Sequence, residues 1–166
     1  MLISMELPQY HNKAMTKLIF YTVILLFVLG CSGLISNHPD LGNGYKFFHE
    51  GKYGLSVVNS ENTIMIKHHV LDYSYDSAFV LVIQRPFRCI SGRDTMTYSE
   101  LNKAFKNSNF KQYWIIDKIQ SCENIGFDSI NQVAKYSNVY GPYTENEFIQ
   151  KRNALGVPKE LKLIEE

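Results

Sequence analysis

The sequence predicts one α+β domain, an antiparallel sheet of about five strands with two or three short helices. Short apolar segments bounded by Gly, Asn and Ser follow one another along the first half of the chain, as in an antiparallel meander. Two Thr-x-x-Glu capping boxes, at Thr97 and Thr144, predict helix starts in the second half. Strands followed by helices, rather than alternating with them, are typical of this class.

Residues 1–30 resemble a bacterial lipoprotein signal peptide. Two lysines precede an apolar run over residues 18–29, and small residues follow it, which is the order found in secretory signals. As a helix the run would be roughly 18 Å long, too short for a hydrocarbon core of about 30 Å. The sequence Val-Leu-Gly-Cys at its end resembles a lipobox. We therefore expect cleavage between Gly30 and Cys31 and lipidation of Cys31.

The predicted organisation has three parts. Residues 1–30 are the signal peptide, with Met15 as the alternative start, residues 31–44 are the lipidated N-terminus and a flexible tether, and residues 45–166 are the globular domain. The alternative for the apolar run is a buried helix with a free thiol, although such a helix should have a polar side. Because Ser rather than Asp follows Cys31, we expect outer-membrane placement if the organism has an outer membrane.

Five strands are predicted, over residues 45–49, 55–58, 63–71, 78–84 and 113–119. The fourth is apolar on both faces and is therefore expected at the centre of the sheet. Pro86 ends it, because proline has no N–H to donate to a neighbouring strand. The third would place His68 and His69 on opposite faces, so the pair could not bind one metal ion together.

Three helices are predicted. Residues 98–106 follow the first capping box with apolar residues at helical spacing. Residues 128–135 form a second helix on apolar spacing alone. The last helix begins at Thr144 and ends at Gly156 and Pro158, residues typical of helix ends.

Composition and motifs narrow the classes of function. The chain has 17 Lys and Arg against 16 Asp and Glu, which argues against a nucleic-acid partner because such binding depends on a basic face. No phosphate-binding Gly loop, HExxH, CxxC or Gly-x-Ser-x-Gly motif occurs, so we expect no catalytic residue, metal or cofactor. Cys89 and Cys122 are either a disulfide in an oxidising compartment or two buried free thiols.

A cluster of acidic and aromatic residues at positions 72–76 is one candidate ligand site. Tyr73 and Tyr75 could stack on sugar rings while Asp72 and Asp76 accept hydroxyl protons. The alternative, which we favour, is a turn in which the Asp side chains hydrogen-bond to their own backbone.

Three tyrosines form a candidate partner contact. Tyr136, Tyr140 and Tyr143 lie in a loop too polar for a core, so some rings should be exposed. The alternative is that each ring packs against the domain and leaves only its hydroxyl in water.

Several stretches carry a family resemblance: residues 70–84, 113–118, 141–144 and 147–158. They resemble DUF3997, a family of uncharacterised small bacterial lipoproteins, and the likeness spans most of residues 44–161. The resemblance implies a single-domain lipoprotein of the cell envelope and assigns no catalytic residue.

Together these features predict a non-enzymatic binding module, held at the membrane by its N-terminal lipid, with an envelope protein or a glycan as its partner. The alternative function is a small glycan-binding or hydrolase domain that uses Asp72 and Asp76.

Overall fold

A computed structural model of the chain describes residues 39–49, 51, 54–129 and 132–164. These residues belong to one unit, 38–166, and they form ten strands and two α-helices. The predicted α+β class is therefore confirmed, with more strands than the five expected. The predicted signal peptide, the cleavage site at Gly30 and Cys31, and the lipidated thiol lie outside the described residues.

The first sheet has four antiparallel strands in the order β1-β2-β3-β4. They are β1 (Asp40–Gly42), β2 (Tyr45–His49), β3 (Leu55–Val58) and β4 (Ile64–Ile66). Val57 lies opposite Phe47 on one side and Ile66 on the other. These apolar side chains form a buried row across the sheet, because opposed residues of neighbouring strands share a face.

Strand β1 corrects the predicted start of the domain. The tether was expected to extend to residue 44, but residues 40–42 pair with β2. Leu41 is fully buried in the core. Burial of this side chain explains why a segment with the composition of a linker becomes part of the sheet.

The second sheet is also antiparallel, in the order β10-β7-β6-β5. Its strands are β5 (Val70–Tyr75), β6 (Phe79–Gln84), β7 (Gln112–Asp117) and β10 (Val139–Tyr143). Every residue of β6 is buried, which confirms its predicted central position. A strand that is covered on both faces needs apolar residues at successive positions rather than alternate ones.

Alternate residues of β6 and β7 belong to two separate hydrophobic clusters. One cluster joins the first sheet to one face of the second and includes Val80, Val82 and Trp114. The other joins the opposite face to the last helix and the C-terminal segment and includes Leu81, Ile115 and Phe148. The second sheet is therefore the middle layer of three.

The predicted third strand, residues 63–71, is instead divided between the two sheets. Its first part is β4 and its last residues begin β5. Between them His69 has a φ of +72°, a left-handed conformation that interrupts an extended strand. The connection formed by residues 67–69 therefore carries the chain from one sheet to the other.

The prediction of a helix over residues 128–135 is wrong. Strands β8 (Asn124–Asp128) and β9 (Val133–Tyr136) form an antiparallel hairpin there. Gln132 has a φ of +54°, which a right-handed helix cannot contain. The Val133 side chain is buried in the first cluster, so tertiary packing overrides the local helical spacing.

The two α-helices are α1 (Tyr98–Asn107) and α2 (Glu145–Leu155). Both predicted capping boxes are confirmed: the backbone N–H groups of Thr97 and Thr144 donate to Glu100 and Glu147 at 2.7 and 2.8 Å. Gly156 ends α2 with a φ of +68°, as predicted. Neither described helix is long and apolar enough to cross a membrane.

Candidate functional site

The predicted acidic cluster holds the backbone in place. Asp76 Oδ1 accepts hydrogen bonds from the N–H groups of Ala78 and Phe79, each at 2.7 Å, in the turn between β5 and β6. Asp72 Oδ2 accepts from the N–H of Ile164, also at 2.7 Å, and so fixes the C-terminal segment to β5. Both contacts agree with the structural alternative for these carboxylates.

The two tyrosines of the same segment differ in their surroundings. Tyr73 packs against Phe47, with ring centroids 4.4 Å apart, and contributes to the first cluster. Tyr75 lies at the surface, and the Lys118 ammonium is 5.8 Å from its ring centroid. The two rings are inclined by only 26°, with centroids 6.4 Å apart, but Tyr75 alone is exposed. The segment therefore does not present two exposed rings that could stack on a sugar.

The tyrosines predicted to occupy a loop are in strands. Tyr136 ends β9, and Tyr140 and Tyr143 belong to β10. All three are half-buried, and burial raises the pKa of each phenol. The Tyr140 hydroxyl donates to Gln120 at 2.5 Å, and the Lys151 ammonium is 4.2 Å from its ring centroid. These contacts agree with the alternative in which the rings pack against the domain.

The two cysteines are free thiols in the structure. Cys89 is half-buried in a 3-10 turn, Phe87–Cys89, that follows β6. Cys122 is exposed, with its sulfur 3.8 Å from the Met65 sulfur. The free-thiol alternative expected two buried thiols, but neither thiol is fully buried.

His68 and His69 do not lie on a strand. The prediction that they occupy opposite faces of one strand is therefore wrong. Their rings are 4.6 Å apart at 75°. His69 is 7 % exposed, packs against Phe87 and Phe105, and has no hydrogen-bond partner at either ring nitrogen. Burial, followed by the charge of His68, lowers its pKa to about 4. His69 is therefore a neutral core residue near neutral pH.

The described residues do contain a concave site that the sequence did not predict. It is a pocket of about 410 Å³ beside the connection from β4 to β5, which we call the basic pocket. Four basic side chains line it: Lys67, His68, Arg88 and Arg93. Pro86, Phe87 and Val133 give it an apolar wall.

The basic side chains come from segments far apart in sequence. Lys67 and His68 belong to the connection that leads from β4 to β5, whereas Arg88 and Arg93 follow β6 in the chain. The sequence shows two basic residues soon after Pro86, but the fold alone brings Lys67 near them. No group of His, Cys, Asp or Glu suited to hold a metal ion occurs among the described residues.

A second exposed feature is the outer strand of the β8–β9 hairpin. Ile125 and Phe127 of β8 are 63 % and 61 % exposed. Within the described part of the chain, β8 pairs with β9 alone. An edge strand has unpaired backbone N–H and C=O groups with which a strand of another chain can pair. Exposed apolar side chains favour that association, so they are uncommon on edge strands.

The fold and these surfaces define a small, three-layered α+β domain with a basic pocket and an exposed apolar edge. A family model described as "Protein of unknown function (DUF3997)" matches residues 42–166. The chain therefore belongs to the DUF3997 family, as the sequence resemblance predicted. No curated protein and no solved structure matches the chain.

Proposed function

We propose that the chain is a lipid-anchored binding module of the bacterial cell envelope, without catalytic activity. The lipobox sequence ending at Cys31 supports the anchor. Two attached acyl chains would hold the domain stably, whereas one gives only reversible binding. The outer membrane is its expected place where the organism has one, because Ser follows Cys31.

The observation that carries the binding role is the exposed apolar edge of β8. Side chains as large as Ile125 and Phe127 are normally covered in a protein that has no partner there, or are isolated from other exposed apolar residues. Here only Gly126 separates them. The partner that fits is an extended segment of another envelope protein, which would pair with β8 as an added strand and cover both side chains.

The alternative with Asp72 and Asp76 as glycan-binding or catalytic groups has less support. Each carboxylate accepts a backbone hydrogen bond that holds a turn or a chain end. A carboxylate used in this way stabilises the fold, and its replacement would first change stability rather than ligand binding.

Cross-linking in the native membrane, followed by affinity purification and mass spectrometry, tests the proposal. We expect one stoichiometric partner protein with the natural chain. The partner should be lost with Cys31→Ala, which removes the anchor, and with the double variant Ile125→Ser and Phe127→Ser. The matched control is Ile149→Ser, an exposed isoleucine on α2.

Two results would contradict the proposal. If the double variant retains the partner at the control level, β8 is not the contact. The second result is a Cys31→Ala variant that stays on the membrane and leaves it only when Ile125→Ser and Phe127→Ser are added to the same chain. In that case the edge contacts lipid and not protein.

A further inference from the structure

The basic pocket carries an inference that goes beyond the β8 contact. Ile125 and Phe127 are not among the residues that line it. Its volume of about 410 Å³ lies at the low end of the range for small-molecule sites. The pocket is therefore large enough for a small organic ligand.

The charge of the lining selects an anion. Lys67, Arg88 and Arg93 are basic side chains, and no carboxylate belongs to the described residues that line the pocket. Arg93 does contact Asp94 at 3.1 Å, but the two side chains are 45 % and 89 % exposed. Such a surface ion pair is weak and readily exchanged for another anion.

Hydrogen bonds to neutral groups position two of these cations. Lys67 Nζ donates to the Gln132 carbonyl oxygen, and Arg88 Nη2 donates to Gln112 Oε1 at 3.3 Å. The bond to a neutral oxygen orients the Lys67 ammonium without cancelling its charge. The positive charge of the Lys67 ammonium is thus held at the pocket wall.

The backbone beneath the basic residues is fixed by a buried amide. Gln84 is 2 % exposed, and its Nε2 donates to the carbonyl oxygens of Lys67 and His68 at 2.9 and 3.1 Å. Its Oε1 accepts from the Trp114 indole at 2.9 Å. A segment held in this way loses little further conformational freedom when a ligand binds, which favours affinity.

We propose that the basic pocket binds a phosphate ester, with the phosphate at Lys67, Arg88 and Arg93 and the organic part against Phe87. Three cations match a phosphate monoester, which carries about −1.5 to −2 charges at pH 7, better than a single carboxylate. Guanidinium groups also fit phosphate oxygens with two parallel hydrogen bonds. The apolar wall favours an ester over free phosphate.

Isothermal titration of the purified full chain in a zwitterionic detergent tests this assignment. The probes are glycerol 3-phosphate, inorganic phosphate, acetate, and the water-soluble phospholipid dihexanoyl phosphatidic acid, whose phosphate is also a monoester. We expect a one-to-one complex with at least one phosphate ester, at least tenfold tighter than with acetate. Tighter binding of the phospholipid would assign the phosphate to a lipid headgroup, and tighter binding of glycerol 3-phosphate to a soluble ester.

Three variants complete the test. Lys67→Gln keeps a donor for Gln132 but removes the charge, and we expect at least a tenfold loss of affinity for the ester. Arg93→Gln should also weaken binding, and it provides a second reading if Lys67→Gln disturbs the fold. The matched control is Lys103→Gln, an exposed residue of α1 away from the pocket. The proposal is overturned if neither ester binds, or if both charge variants bind it as tightly as the control.

Discussion

Gln84 shows how one residue connects the core to the pocket. It ends a strand that is otherwise apolar, and its buried amide has partners for both its nitrogen and its oxygen. An unpaired amide at this depth would cost about 1–3 kcal/mol. The residue therefore joins Trp114 to the segment that carries Lys67, and the site is fixed to the most buried strand.

His69 should make the stability of the protein depend on pH. Its pKa of about 4 in the fold lies below the usual value of 6.5, so between these pH values the unfolded chain binds the additional proton. Stability should then fall as the pH decreases from about 6.5 to about 4, by up to about 3 kcal/mol. Urea unfolding over this pH range measures the effect.

The variant for this test is His69→Asn, because asparagine does not titrate and tolerates a left-handed φ. Its unfolding free energy should change less with pH between 4 and 6.5, even if it is lower at neutral pH. His49→Asn, at an exposed position, is the control and should keep the natural slope. An equally steep profile for His69→Asn would show that another group is responsible.

Gly141 is required where β10 approaches β7. A Cβ at this position would lie 2.7 Å from the Tyr113 carbonyl oxygen and 2.8 Å from the Trp114 ring. Gly126 has a similar φ, +139° against +133°, but no atom within 4 Å of its Cβ position. Both substitutions to alanine strain the backbone and lower the free energy of unfolding. Gly141→Ala should lower it by about 1–3 kcal/mol more than Gly126→Ala, because its Cβ would overlap with β7.

Thermal unfolding of Gly141→Ala and Gly126→Ala, followed by circular dichroism, measures that difference. The comparison isolates the close approach because the two glycines have a similar φ. Equal losses of stability would mean that β10 moves away from β7 without cost, contrary to the packing described here.

Among the secondary-structure elements, those with strong local signals were predictable. Both capping boxes start helices, and the doubly apolar β6 is central. The division at His69 and the β8–β9 hairpin were not predictable, because each depends on a left-handed residue and on contacts with distant strands. The basic pocket was missed for the same reason: Lys67 and Arg93 become neighbours only through the fold.

The capping box of α1 gives a prediction at the level of one element. Thr97→Val removes the hydroxyl that accepts from the Glu100 N–H and should destabilise the helix by about 1 kcal/mol. Hydrogen exchange of the first-turn amides of α1 should accelerate. Ser99→Ala, an exposed position in the same turn, is the control. Unchanged exchange in Thr97→Val would show that other contacts hold the helix start.

In the described domain, Lys118 joins the two sheets. Its ammonium donates to the carbonyl oxygens of Leu41 in β1 and Asp76 in the β5–β6 turn. Burial lowers the pKa of this ammonium, while the Asp76 and Asp40 carboxylates oppose the shift. The first strand of the domain is thus attached to the middle layer by a buried cation.

Lys118→Met should leave both carbonyl oxygens without this donor and lower the free energy of unfolding by about 1–3 kcal/mol. Lys46→Met, at an exposed position of β2, should change stability little. Urea unfolding compares the two. A Lys118→Met protein as stable as the control would mean that packing alone holds β1 to the second sheet.

We propose above all that this domain binds a partner protein through the edge of β8. The most direct measurement places a photo-crosslinking amino acid at position 127 of the intact protein and irradiates cells, with position 149 as the control. We expect one defined protein adduct from position 127 and none at comparable yield from position 149. Adducts to lipid alone, or the same protein from both positions, would contradict it.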